Sequence, residues 1–175
     1  MNQNFNMDKP PADWDLFLAE ATDVFVRKDA DYDSRFMRGM IDLDAKTLWA
    51  WEVDKKLDRI RTWTKRGELQ VKGEGVSNSV IDLFNYTVQY FYLTNSYHVS
   101  ENQNKEEFLK LWQYNREQLF FKVAYNYSIA EWLQFLKTTG RIAADEQLLL
   151  LTLRAYMGDR IVIKDYQKAI RSILS

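Results

Sequence analysis

The sequence predicts an all-α protein, a helical bundle. Apolar residues recur at three- and four-residue spacing through most of the chain, the signature of amphipathic helices. Only 6 glycines and 2 prolines occur in 175 residues, and both prolines fall at positions 10 and 11, so no later element carries a proline breaker. The one β-like fragment, Ile161-Val-Ile163, is too short to define a sheet.

Residues 1–11 read as a loose, flexible leader ended by Pro10-Pro11. A first helix is expected over about 12–28, where Trp14, Phe17, Leu18, Ala21, Val24 and Phe25 form one stripe. The charged stretch from Arg27 to Gly39 breaks that pattern. A second helix is expected from about 45 to 66, with Leu48, Trp49, Val53, Leu57, Ile60 and Trp63 as its apolar set and Gly67 placed to stop it. The glycines at 67, 73 and 75 make 67–75 a loop. A third helix spans about 76–95, followed by a polar linker from Ser96 to Asn104. Asn104 with Glu107, and Ser128 with Glu131, fit capping boxes that satisfy free amides at helix starts. Phe108, Leu111, Trp112, Leu119, Phe120 and Val123 give one apolar face; Trp132, Leu133, Phe135 and Leu136 give another, closed by Gly140. The leucine-led run Asp145 to Tyr156 ends at Gly158, a helix cap, and a last short helix covers about 165–174. The chain thus divides into a helical core at 12–95 and a C-terminal helical cap or arm at 96–175, packed on the same domain. Its six tryptophans are expected in the core.

Composition narrows the functional classes. Hydrophobic residues at 46% and aromatics at 15% support a substantial core and argue against disorder. With 24 basic and 25 acidic residues, bulk attraction to nucleic acid or an anionic membrane is not indicated, though a local basic pocket is compatible. The absence of cysteine excludes disulfides, thiolate zinc sites and thiol nucleophiles. The single histidine, His98 in the polar linker, excludes a multi-histidine metal site within one chain. No apolar run reaches the ~18–20 residues of a membrane span, and the N-terminus lacks the basic-then-apolar layout of a secretion signal. A soluble cytoplasmic protein is expected.

Three clusters could carry chemistry. The most informative is a polar stripe on the third helix. At helical pitch Glu74, Asn78, Asp82, Tyr86 and Gln89 share one face, with Asn85 beside it. The other faces carry Val80, Ile81, Leu83, Phe84, Val88, Phe91 and Leu93, so the helix is expected to be buried. A carboxylate facing such an interior is costly unless paired or metal-bound. Carboxylates one and two turns apart suit oxygen-ligated magnesium; alternatively, Asp82 and Asn85 hydrogen-bond to neighbouring helices. The second cluster is Glu52, Lys56 and Arg59, on one face by their i, i+4, i+7 spacing. Glu52 can join a metal site and the two cations can hold phosphate, Arg59 bidentately; the alternative is a solvated ion-pair face. The third places Lys28, Asp31 and Tyr32 together where the first helix gives way to a loop. Phosphate-loop and dinucleotide-fold glycine motifs are absent.

In chain order, Lys28-x-x-Asp31-Tyr32, Lys56-x-x-Arg59-Ile60 and Glu74-(x)7-Asp82-Leu83-x-Asn85-Tyr86 resemble the nucleotide-modification-associated domain of bacteriophages. That family is similar to the all-α nucleoside triphosphate pyrophosphohydrolases of the MazG and dimeric dUTPase kind. The resemblance covers roughly residues 20–93. It implies a magnesium (or manganese) ion held by carboxylates on two adjacent helices, cleavage of a nucleotide between its α and β phosphates, and a homo-oligomer, dimer or tetramer. Carried onto this sequence, the metal and catalytic acids are Glu52, Glu74 and Asp82, with Asn78 assisting at the metal. Lys28, Lys56 and Arg59 neutralise phosphate. Tyr32, Asn85 and Tyr86 line the base or sugar pocket, with Asp31 beside them in the substrate-binding set.

The sequence departs from the pattern at three places. Asp33 stands where the family commonly has glycine, Asn78 where it usually has an acid, and only Glu52 and Asp54 occupy the region of the EExxE signature of the MazG enzymes. Fewer carboxylates weaken magnesium binding. Two alternatives follow: a non-catalytic module that sequesters a nucleotide or serves a modification pathway, and a helical partner-binding protein.

Overall fold

The stripe Phe17, Leu18, Ala21 and Phe25 can be covered only if the chain around it is helical. In the computed structural model it lies on α1, Trp14–Asp31, with Asp15 in the first turn and Lys28 in the last, each charge opposing the helix dipole. The structure describes residues 14–66, 76–97 and 104–138. The expected leader, the 67–75 loop with Glu74, His98, and every element after residue 138 lie outside the described residues.

α1 runs three residues past the expected end, so Lys28 and Asp31 are helical. A turn at Tyr32–Ser34 follows, then a helix absent from the sequence expectation, α2 at Arg35–Asp42. Charge interrupts the periodicity there, but Phe36, Met37, Met40 and Ile41 still share one side, and Met37 and Met40 are buried. Gly39 lets α2 lie close to the next helix: a Cβ at that position would meet Leu48 Cδ2 at 2.9 Å.

α3 spans Ala45–Arg66, matching the expected 45–66. Asp44 caps it, its Oδ1 accepting from the Thr47 amide at 2.7 Å. α4 spans Val76–Ser96 and makes its largest helix contact with α3. Trp49 secures that pair, stacking on Tyr90 at 4.6 Å and donating from Nε1 to Thr87 Oγ1 at 3.3 Å. α4 also touches α1, α2 and the later α6. It is the central helix, with Val80, Leu83, Phe84 and Val88 buried in one core.

The expected apolar face 108–123 is not continuous. It divides at Asn115 into α5, Lys105–Tyr114, and α6, Arg116–Tyr125. Asn104 caps α5 through the amides of Glu106 and Glu107. α6 packs on α1, where Phe25 stacks on Phe120 at 4.2 Å. α7, Ile129–Thr138, starts with the expected Ser128 cap: its Oγ accepts from the Glu131 amide and donates to Glu131 Oε1. Its Trp132 donates to Ala124 O at 3.2 Å and meets Phe84 edge-on. The described helices of the second half therefore share the core of the first. Not every tryptophan does: Trp51 is 66% exposed, because residues two apart on a helix point to nearly opposite sides and Trp49 takes the inner one. The described residues hold only helices, an all-α bundle, and no described helix is long and apolar enough to cross a membrane.

Phe84 joins three elements, touching Trp14, Phe17 and Trp132. Phe84→Ala is expected to cost about 3–5 kcal/mol through transfer and cavity terms, read as a fall in the urea midpoint at constant slope. A loss under about 1 kcal/mol would show that the junction is not close-packed.

Candidate functional site

Asp82 lies on the side of α4 that faces both α1 and α3. A carboxylate only 15% exposed requires charge compensation, and it comes from two helices at once. Lys28 Nζ of α1 donates to Oδ1 at 2.8 Å. Lys56 Nζ of α3 lies 3.1 Å from Oδ2. The residue is thus half-buried at the edge of a three-helix junction rather than in the deep interior. Lys56 is 20% exposed and Lys28 55%, so one pairing is sheltered and the other borders solvent.

The remaining groups sit around this centre. Glu52, one turn before Lys56 on α3, pairs with Lys55 at 3.0 Å. Tyr86 is one turn after Asp82 on α4, and its ring meets Phe36 of α2 at 4.5 Å. Burial, then the charges of Glu52 and Asp82 and the phenol of Tyr32, push the Tyr86 hydroxyl up to about 12. Tyr86 is therefore a neutral donor at physiological pH, with two carboxylates in its surroundings. Tyr32, 63% exposed, stands at the turn after α1. Two ammonium groups, Lys28 and Lys56, thus meet the single Asp82 carboxylate.

The other sequence-predicted residues differ in burial and role. Asn85 is buried between helices, its Nδ2 donating to Ala21 O of α1 at 3.1 Å, so it ties α4 to α1. Asn78 is exposed one turn before Asp82, Asp31 is exposed at the end of α1, and Arg59 is half-buried one turn beyond Lys56. Glu74 is outside the described residues. Sequence reasoning missed Phe36 because it missed α2; the spacing of Phe36, Met37, Met40 and Ile41 was the available signal. It also missed a second charged cluster. There Asp29, whose side chain is 4% exposed, lies 3.2 Å from Arg116 Nη1 and accepts from Ser34 Oγ at 2.6 Å. Burial raises the Asp29 carboxyl above its ordinary value, against the opposing pull of Ser34, Arg116 and Trp112.

For a divalent cation the described donors are Asp82 and Glu52. Magnesium normally takes one or two protein carboxylates and completes its shell with water and phosphate oxygens, so the pair fits in number and in chemistry. Both Asp82 oxygens are engaged by ammonium groups, so a cation and the lysines would compete for one carboxylate. No group of three or more His, Asp or Glu able to hold a metal is assembled among the described residues. Comparison with protein-family models, curated proteins and solved structures finds no match to the chain.

A phenol that ionises near 10.0 in the unfolded chain and about 12 in the folded one contributes stability that is complete below the lower value. That contribution is lost as pH rises through the higher one. In a tyrosinate absorbance titration, Tyr86→Phe is expected to remove a step centred near 12. Removal of a step near 10 instead would show the hydroxyl to be solvated.

Proposed function

We propose that the junction around Asp82 binds the phosphates of a nucleotide together with magnesium, and that the protein is a (deoxy)nucleoside triphosphate pyrophosphohydrolase. The observation that carries this is the meeting of Lys28, Lys56 and Asp82 from three helices, beside the aromatic group Tyr32, Phe36 and Tyr86. Lysine ammonium groups hold phosphate as point charges, and an aromatic surface next to them accommodates a base or sugar. The motif resemblance at the same residues supports the reading.

Glu52 and Asp82 would hold the metal, magnesium or manganese, with Asn78 and Glu74 from the same sequence pattern completing the set. The chemistry the ion would supply there is polarisation of the phosphate and a lowered pKa for an attacking water. Lys28 and Lys56 pair with phosphate oxygens once Asp82 is otherwise neutralised, and Arg59 extends the cationic line along α3. The neutral Tyr86 hydroxyl would donate a hydrogen bond, and Asp31 and Tyr32 would complete the substrate-binding set. Catalysis on this scheme is positioning plus electrostatics, as in phosphoryl transfer generally. The setting would be cytoplasmic nucleotide metabolism or DNA-base modification, phage-encoded on the resemblance. A dimer or tetramer would cover exposed aromatics such as Trp51 and Tyr114.

A second reading has its own support. Both Asp82 oxygens are compensated without any metal, which suits a module that holds a nucleotide and does not cleave it.

Calorimetry and product analysis with the deoxynucleoside triphosphates, with and without magnesium, separate the two. Magnesium-dependent pyrophosphate release is expected, falling at least about 100-fold in Asp82→Ala and in Glu52→Gln. Lys56→Met is expected to weaken nucleotide binding about tenfold, ~1.4 kcal/mol. Tight binding without product assigns the sequestering module. No binding and no product from any triphosphate rejects both readings.

A further inference from the structure

We propose that Arg116 is a positioning residue, which through Asp29 holds the turn after α1 and so sets where Lys28 and Tyr32 stand against Asp82. This rests on the nucleotide reading of the Asp82 junction and adds a part of the second half of the chain to it.

Lys28 and Asp29 are consecutive on α1 and therefore about 100° apart around the helix. Lys28 reaches Asp82 on α4; Asp29 reaches Arg116, the first residue of α6. The two contacts flank the same turn of helix. From there the chain enters a turn in which Asp33 and Ser34 adopt φ of 51° and 52°. Two consecutive side-chain-bearing residues in the left-handed region are disfavoured and persist only where surrounding contacts fix them.

Those contacts are present. Ser34 N donates to Asp29 O at 2.9 Å, and Ser34 Oγ donates to Asp29 Oδ2 at 2.6 Å. Arg38 Nε donates to Asp33 O at 2.9 Å. From α5, Gln113 Nε2 donates to Asp33 Oδ1 at 3.0 Å, while Arg116 Nε donates to Gln113 O at 3.1 Å. The junction of α5 and α6 thus grips both the Asp29 carboxylate and the turn. Within this grip Tyr32 N donates to Lys28 O at 3.0 Å, so a displacement of the α1 terminus moves the ammonium and the phenol together. A buried carboxylate that loses its cationic partner is strongly disfavoured, and Asp29 then has reason to rotate outward and release the turn.

The test uses the full chain and three variants. Arg116→Met removes the charge while keeping most of the packing, Arg116→Lys keeps the charge, and Ser34→Gly removes the hydroxyl while relieving the left-handed backbone. Two quantities are read in each: the NMR signals of the Tyr32 amide and the Lys28 Nζ group, and the affinity for dATP with magnesium. Arg116→Met is expected to shift or broaden both signals and to weaken dATP binding about tenfold, as mutations along a coupling network do. Arg116→Lys is expected to recover part of both. Ser34→Gly is expected to keep or raise the unfolding midpoint yet weaken binding, a combination that a merely structural role would not give. Parent-like signals and affinity in both Arg116→Met and Ser34→Gly overturn the proposal. If Arg116→Met does not fold, Ser34→Gly decides. If the parent binds no nucleotide, the nucleotide reading fails and the two NMR signals alone decide the positioning claim.

Discussion

A carboxylate at 15% exposure at a helix junction requires charge compensation, and this constraint at Asp82 organises the charged residues where α1, α3 and α4 meet. Lys28 reaches it from α1 and Lys56 from α3, so the packing of three helices brings two ammonium groups to one carboxylate. Glu52, one turn along α3, and Tyr86, one turn along α4, then converge on the same place. Lys28, Glu52, Lys56, Asp82 and Tyr86 all come to this place on helices. Side chains anchored on packed helices hold their geometry better than side chains on loops.

α4 can supply that face because its other sides are spoken for. Leu83, Phe84 and Val88 fill the core, and the polar residues among them are used as ties. Thr87 accepts from Trp49 while its hydroxyl donates to Leu83 O at 2.7 Å. Asn85 donates to Ala21 O across the α1 interface. Such groups cost stability when unpaired in an interior and define register when paired. The same helix therefore carries packing, registration and charge on different sides.

The second charged group, Asp29 with Ser34 and Arg116, follows the same rule about 100° further around α1. There the compensating cation comes from α6, so the second half of the described chain does more than cover apolar surface. Lys105 of α5 also pairs with Asp42 at the end of α2, and Gln113 holds Asp33. α5 and α6 thus hold the region around the α1–α2 connection at Asp29, Asp33 and Asp42, which supports its left-handed residues in a sequence with no glycine there.

Local periodicity was enough to read the long helices. The bounds of α3, the body of α4, and the capping residues Asn104 and Ser128 all follow from interactions within one turn, which the sequence encodes by spacing alone. It also placed Lys28, Lys56 and Asp82 on the relevant helices. It did not reveal α2, because eight residues with interspersed charge give a weak stripe that only burial against α3 and α4 makes decisive. It did not reveal the break at Asn115, where apolar spacing carries on across the helix boundary. That Asp82 would be met by a lysine 54 positions earlier, that Asn85 would face Ala21, and that Asp29 would find Arg116 were decided by tertiary structure alone. Pairing between helices depends on their rotation and separation, and these are set by the packing of whole faces rather than by any residue's neighbours in the chain.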